Sequence, residues 1–209
     1  MINIDRNQLA PPSLAAQKTY RNADVIAALH TIFRGKCYLT ERVFDYPDEM
    51  EIDHFVTQND DQTLAYEWPN LYPIDQKANK LRPKSTPPGG YLDPCHPDDD
   101  VEKDITYVVE IGGKVLFKPT NPANLKAVNT AQLLDHIHRD LKPAISKKHH
   151  AVVAAIANWN TAKAKGDLGR AYEEELVLRK LLARDSNFTM LMRAIWAVAN
   201  HEQLTEFFD

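Results

Sequence analysis

A short acidic segment, Glu51-Ile52-Asp53-His54, is followed by two asparagines at set distances: Asn70 sixteen residues after the histidine, and Asn79 nine residues beyond that. Hydrolysis of a phosphodiester needs an activated water, a cation to neutralise charge on the phosphate and leaving oxygen, and a scaffold that holds the base in line. This cluster can supply all three. An imidazole takes up a proton near neutral pH, which suits His54 to draw one from water. The Asp53 carboxylate and the Asn79 amide oxygen are hard ligands. Two protein oxygens completed by waters and phosphate oxygens match the way Mg²⁺ is commonly held. Asn70 carries both donor and acceptor, so it can bridge loop backbone and fix the strand that carries His54.

These side chains need a compact carrier. Residues 36–56, KCYLTERVFDYPDEMEIDHFV, predict two short strand-like stretches around a polar, proline-containing turn, with Ile52, Phe55 and Val56 as core residues. A polar loop then leads to NLYPI and to DQKANKLR, a short helix ended by Pro83, so the local order is strand, loop, strand, helix. Adjacent side chains on a strand point to opposite faces. Asp53 and His54 can therefore share a site only where the strand ends and twists, which requires a turn near Thr57.

On either side the pattern changes. Residues 1–20, with Pro11-Pro12, read as an extended arm. NADVIAALHTIFRG places Val25, Ile26, Leu29, Ile32 and Phe33 on one helix face, between a cap at Asn22 and a stop at Gly35. Residues 83–100 are rich in Pro, Gly and Asp and predict loop, after which ITYVVEI and KVLFKP flank a hairpin turn at Gly112-Gly113. Beyond residue 125 the periodicity is helical, with Thr130, Asp167 and Ser186 as caps and Pro143 as a break. Leu176, Leu181, Leu182, Met190, Met192, Ile195 and Trp196 supply that region's core. The expected fold class is α+β. The chain divides into an arm (1–20), a site-bearing unit (21–90), a loop and β-hairpin (91–122) and a helical module (123–209).

The stretches IDHF, WPNLYPI and KANK together resemble the HNH endonuclease motif, over about 30 residues. The resemblance implies a ββα-metal unit. In it His54 is the general base, Asp53 and Asn79 hold a single divalent ion, Mg²⁺ or Mn²⁺, and Asn70 completes the catalytic set as the structural asparagine. Lys80 and Arg82 follow on the helix, either as nucleic-acid phosphate contacts or as solvated surface. Many members of the family carry a CxxC pair before the first strand and another before the final asparagine, holding zinc. The corresponding places here read Cys37-Tyr38-Leu39-Thr40 and Asp75-Gln76-Lys77-Ala78, so no structural zinc is expected and Cys37 should be an apolar, buried residue. Packing must replace it, with the N-terminal helix, Phe44, Trp68 and Tyr72 as candidates. More widely, the proline-containing arm, YLDPCHPDDDVE, NTAQLL and the helical tail are similar to the HNH subunits of anti-phage Septu and retron-associated operons. That resemblance implies DNA as substrate and an SMC-like or ABC-like ATPase as partner in a hetero-oligomer. A fold of this class that binds nucleic acid or the ATPase without cutting is the alternative.

Composition bounds these readings. The 209 residues are 44% hydrophobic, enough for a real core, and the formal charge of −4 argues against a freestanding nucleic-acid binder with a large basic surface. Two cysteines 58 positions apart suit neither a disulfide scaffold nor a CxxC zinc site, so a reducing cytoplasm is expected. The N-terminus lacks an uninterrupted apolar run, and no segment approaches the roughly 20 apolar residues that spanning a bilayer requires, so a soluble protein without a membrane role is expected. Three further clusters read as surface: Asp98-Asp99-Asp100 as a solvated loop, His136 and His138 as exposed residues facing different ways on a helix, and Lys147-Lys148-His149-His150 as an exposed helical turn.

Overall fold

The computed structural model describes residues 1–110, 112 and 114–200. The chain is α+β, with two small antiparallel sheets set among helices. In the first sheet β1 (Glu51–His54) pairs with β2 (Leu71–Ile74), Glu51 opposite Ile74 and His54 opposite Leu71. Pro73 is tolerated in so small a sheet because the strand has few ladder donors to lose. Its carbonyl accepts from the Tyr38 N–H at 2.9 Å. Helix α2 (Gln76–Leu81) follows at once, because the Asp75 carboxylate accepts from the Ala78 N–H at 2.8 Å and caps it.

The first strand-like stretch expected in residues 36–44 is instead a tight turn closed by one bridge, Lys36 to Val43. Glu41 N–H donates to the Cys37 carbonyl, and Glu41 adopts a left-handed φ of 56°, so the chain reverses before a strand can extend. This turn is tied to the start of α2 by the Thr40 and Asp75 side chains. Thr40 Oγ1 donates to Asp75 Oδ2 at 2.8 Å, the Thr40 N–H points at Cys37 Sγ at 3.4 Å, and Asp75 caps Ala78. Cys37 is buried, and burial chiefly pushes its thiol up to about 12.

Helix α1 (Ala23–Ile32) buries Val25 and Leu29, with Phe33 just beyond it, and Gly35 at φ +66° turns the chain away. Asn22 occupies the cap position, but its amide donates to the Thr19 carbonyl and makes no cap bond. Phe44, Trp68 and Tyr72 are all buried, and Ile52 with them, whereas Phe55 and Val56 are half-buried. The arm does not stand free of this unit. The Met1 ammonium lies 2.7 Å from Glu41, Ile4 N–H donates to the Pro94 carbonyl, and Trp68 Nε1 donates to the Gln8 carbonyl. The Arg6 guanidinium sits over Trp68 and Tyr72 at 4.3 and 5.0 Å and donates to the Leu71 carbonyl. Wrapped in this way, the arm delivers Tyr20 to the edge of β1.

The second sheet pairs β3 (Ile105–Val109) with β4 (Val115–Pro119), preceded by the short helix α3 (Val101–Asp104). The turn expected at Gly112-Gly113 falls partly outside the described residues. Helix α4 (Leu125–Ile137) starts before Thr130: Asn124 is its cap, and Thr130 is buried mid-helix, accepting from the Leu92 N–H at 2.8 Å. Pro143 lies in the first turn of α5 (Lys142–Ala164), where its missing N–H costs nothing. Asp167 caps α6 (Leu168–Leu182), but α7 (Thr189–Asn200) begins beyond Ser186, whose hydroxyl accepts from Lys148 at 2.5 Å. Ala171, Glu174, Leu178 and Leu182 form the buried face of α6, which turns Leu176 outward at 48% exposure, against the sequence expectation. Leu182, Met190, Met192 and Trp196 are buried as core.

None of the three expected surface clusters is wholly solvated: Asp98, Lys147 and His150 are exposed, but Lys148 and His149 are half-buried, and Lys148 Nζ donates to Ser186 Oγ. Asp99 accepts from Lys126 at 2.9 Å and from the Asp93 N–H, while Asp100 caps α3 and accepts from Asn3. His138 is buried, its ring tilted against Phe117 with centroids 4.7 Å apart, and Nδ1 donates to the Leu134 carbonyl. The turn at 36–43 also plugs the helical module onto the first sheet's unit. Lys36 Nζ donates to the Arg184 carbonyl and to Thr189 Oγ1, and Glu41 accepts from the Met190 N–H. Among the described residues, no helix is long and apolar enough to cross a membrane.

Candidate active site

β1 ends at His54, where Arg82 on the strand-facing side of α2's exit donates to the His54 and Phe55 carbonyls at 2.9 and 2.6 Å. The chain then turns at Thr57, whose carbonyl accepts from the Asp60 and Asp61 N–H groups. The bend lets neighbouring strand residues line one opening. Asp53, His54 and Asn79 all face a cleft of about 330 Å³, together with Tyr20, Arg82 and Lys84.

His54 is held through one nitrogen. Its Nε2 lies 3.0 Å from the Ala65 carbonyl oxygen. A carbonyl only accepts, so Nε2 carries the hydrogen, and in the neutral ring Nδ1 keeps the lone pair. The Tyr20 ring meets the imidazole edge-on at 4.6 Å and 86°, which limits its rotation. Asn70 fixes the carbonyl that holds the ring. Its Oδ1 accepts from the Val56 N–H at 2.7 Å, and Nδ2 donates to the carbonyls of Val56 and Leu64 at 3.1 and 3.2 Å. One side chain thus ties residues 56 and 64 together, and Ala65 is the next residue.

Asp53 is buried, with Oδ2 accepting from the Tyr38 hydroxyl at 2.6 Å and Oδ1 from Arg82 Nη1 at 3.0 Å. Burial, chiefly, holds the Tyr38 phenol well above its ordinary range, so it remains a donor. Burial also raises the Asp53 carboxyl, in spite of Arg82 and Tyr38 beside it. Each oxygen, having accepted one hydrogen bond, retains a lone pair. Across the cleft, Asn79 Nδ2 donates to Glu51 Oε2 at 2.6 Å, which leaves its carbonyl oxygen free. A carboxylate with lone pairs to spare and a free amide oxygen on the same cleft are hard donors that fit a divalent cation. Among the described residues no three His, Cys, Asp or Glu side chains cluster as a cation site. An ion here would depend on Asp53, Asn79 and oxygens from solvent or substrate.

The sequence residues divide accordingly. Asp53, His54 and Asn79 meet in the cleft, and Asn70 lies behind it as a buried brace. Lys80 is exposed on α2, away from the cleft lining. Arg82 is not the exposed cation expected. It is 5% exposed, and its guanidinium is turned onto Asp53 and two strand carbonyls, where desolvation and geometry commit it to holding β1. Lys84, exposed at the cleft, is the cation placed to meet an anion there. Sequence reasoning missed Tyr20, Ala65, Tyr38 and Lys84, for which no local signal exists. Glu51 carried one: it stands two residues before Asp53, on the same strand face. No protein-family model matches the chain, and no curated protein is significantly similar to it.

Proposed function

We propose that the protein is a metal-dependent endonuclease of the HNH (ββα-metal) class, hydrolysing DNA phosphodiester bonds. The observation that carries this reading is the convergence of Asp53, Asn79 and a tautomer-fixed His54 on one open, polar cleft. Asp53 and the Asn79 oxygen would hold Mg²⁺ or Mn²⁺, which when bound supplies charge neutralisation at the phosphate and leaving oxygen. His54 Nδ1 takes a proton from the attacking water, and the Ala65 carbonyl stabilises the resulting imidazolium through Nε2. Lys84 neutralises phosphate at the cleft mouth. The decisive assay compares wild type with His54→Ala for Mg²⁺-dependent DNA cleavage. Loss of about 10²-fold or more is expected for a general base, and equal cleavage by the two proteins removes His54 from the reaction.

The setting we propose is anti-phage defence, as the nuclease subunit of a hetero-oligomer with an SMC-like or ABC-like ATPase. Two features support a partner. The chain's charge of −4 leaves little basic surface for DNA. Leu168, Tyr172 and Leu176, spaced by four on α6, are 81%, 62% and 48% exposed, an apolar stripe without cover among the described residues. The assay is therefore run with and without the ATPase.

One observation favours a second reading, a fold that binds without cutting: Arg82 already neutralises Asp53 from the buried side. Calorimetry with Mn²⁺ and DNA separates the two. A nuclease shows a metal-binding heat that Asp53→Ala abolishes, and a binding-only module shows no such difference.

A further inference from the structure

The Asn79 side chain can serve as a ligand from only one of its two ends. An amide turned by 180° would present an NH₂ group to the cleft and repel a cation, and the two orientations differ little in shape. Glu51 breaks that symmetry. It lies two residues before Asp53 on the same face of β1, and its Oε2 is 2.6 Å from the nitrogen of Asn79. A carboxylate has no hydrogen to give, so only the NH₂ end can face it, and the short distance is that of a charge-assisted bond. The oxygen is thereby directed to the cleft that Asp53 and His54 line. Glu51 itself is half-buried and stays behind Asn79, outside the lining of the cleft.

From this we infer that Glu51 is a positioning residue: it holds the Asn79 amide with its oxygen toward the cleft, and so makes Asn79 a cation ligand. The inference rests on the metal-dependent reading above for its consequence, but its geometric content stands apart from it. Replacing Glu51 by glutamine removes the directionality, because a glutamine amide can either accept from Asn79 Nδ2 or donate to Asn79 Oδ1. An aspartate at position 79 has an oxygen at both ends and needs no orienting.

The experiment is a double-mutant cycle read by Mn²⁺ binding to the full chain, followed by the paramagnetic resonance of free Mn²⁺, with thermal melting recorded for each variant. Glu51→Gln should weaken Mn²⁺ binding about tenfold, the usual scale for groups that orient a ligand. In the Asn79→Asp background, where an oxygen would face Glu51 and the two carboxylates repel, the same substitution should cause no loss of binding. A role confined to stabilising the fold would weaken binding in both backgrounds, and that result, or no loss in either, overturns the inference. If wild type binds no Mn²⁺ at all, the metal-dependent reading falls by itself. The orientation is then decided by the Asn79 side-chain NH₂ resonances, identified by their loss in Asn79→Asp. A shift on Glu51→Gln upholds the inference, and unmoved resonances overturn it.

Discussion

His54 and Ala65 are joined by a single 3.0 Å contact between an imidazole nitrogen and a backbone carbonyl, and that contact selects which face of the ring can act as a base. Because the carbonyl belongs to the main chain, its position depends on the loop, and the loop depends on Asn70. The neutral ring should therefore carry its proton on Nε2. Nitrogen NMR of the imidazole at alkaline pH should find Nε2 pyrrole-like and Nδ1 pyridine-like, and the reverse pattern would place the base on the wrong nitrogen.

Asn70→Ala removes the three bonds that tie residue 56 to residue 64. It leaves buried backbone groups without partners, so a stability loss of about 1–3 kcal/mol is expected in urea titration. Cleavage should fall with Mn²⁺ affinity unchanged, because Asp53 and Asn79 are held by other contacts. A parallel loss of metal affinity would show that the brace extends to the ligands.

The Asp53–Arg82 pair is buried on both sides, with side chains 8% and 4% exposed. Removing either partner strands the other charge, so Asp53→Leu and Arg82→Met should each cost about 3–5 kcal/mol. The double variant should lose clearly less than the sum of the two. Additive losses would mean that the ions do not compensate each other.

Thr40→Val deletes the hydroxyl that joins the 36–43 turn to the start of α2, leaving Asp75 Oδ2 without that donor. A loss of about 1.5–3 kcal/mol is expected, the scale of a hydrogen bond to a charged group. Because side chains hold this junction, EDTA should leave the wild-type melting midpoint where it is. A fall in the midpoint on chelation that persists in Asn79→Ala would reveal a structural metal.

Acid should destabilise the fold in two stages. Burial chiefly lowers His138 from its ordinary 6.5 to about 4, so between those values the unfolded chain takes up a proton that the folded chain refuses. Stability present above pH 6.5 is lost as the pH falls to about 4, by an amount on the order of 3 kcal/mol. Glu41 follows. Burial alone would raise it, but the Met1 ammonium and Lys36 hold it down to about 2 from 4.5, so its contribution is lost between those values. His138→Phe should flatten the first stage in urea titrations at stepped pH, and Glu41→Gln the second. A first stage that survives His138→Phe would assign it to another group.

The carrier of the site could be read from the chain because its signals are local. The apolar–polar order of Ile52 and Asp53, the apolar run of Leu71–Ile74, the Asp75 cap and Pro83 beyond Leu81 define two strands and a helix from near neighbours alone. The strand expected near residue 40 failed for a tertiary reason: Glu41 is drawn into a buried ion pair with the Met1 ammonium and under α7, which favours a turn. Likewise Thr130 and His138 have the composition of surface helix residues, and only the packing of residue 92 and Phe117 against α4 and its exit buries them.

The sequence by itself determined which groups could do chemistry here: one imidazole, one carboxylate and two amides, at spacings that a strand, a loop and a short helix can bring together. The tertiary structure decided what each group is free to do. Arg82 was turned inward by carbonyls and a carboxylate already desolvated at the end of β1, where an unpaired charge costs more than an exposed one gains. His54 received a fixed tautomer from a backbone carbonyl eleven residues away, and Asn79 a fixed amide orientation from Glu51 on another element. Side-chain identity sets the possible protonation states and hydrogen bonds, whereas the choice among them belongs to partners that only folding brings within 3 Å.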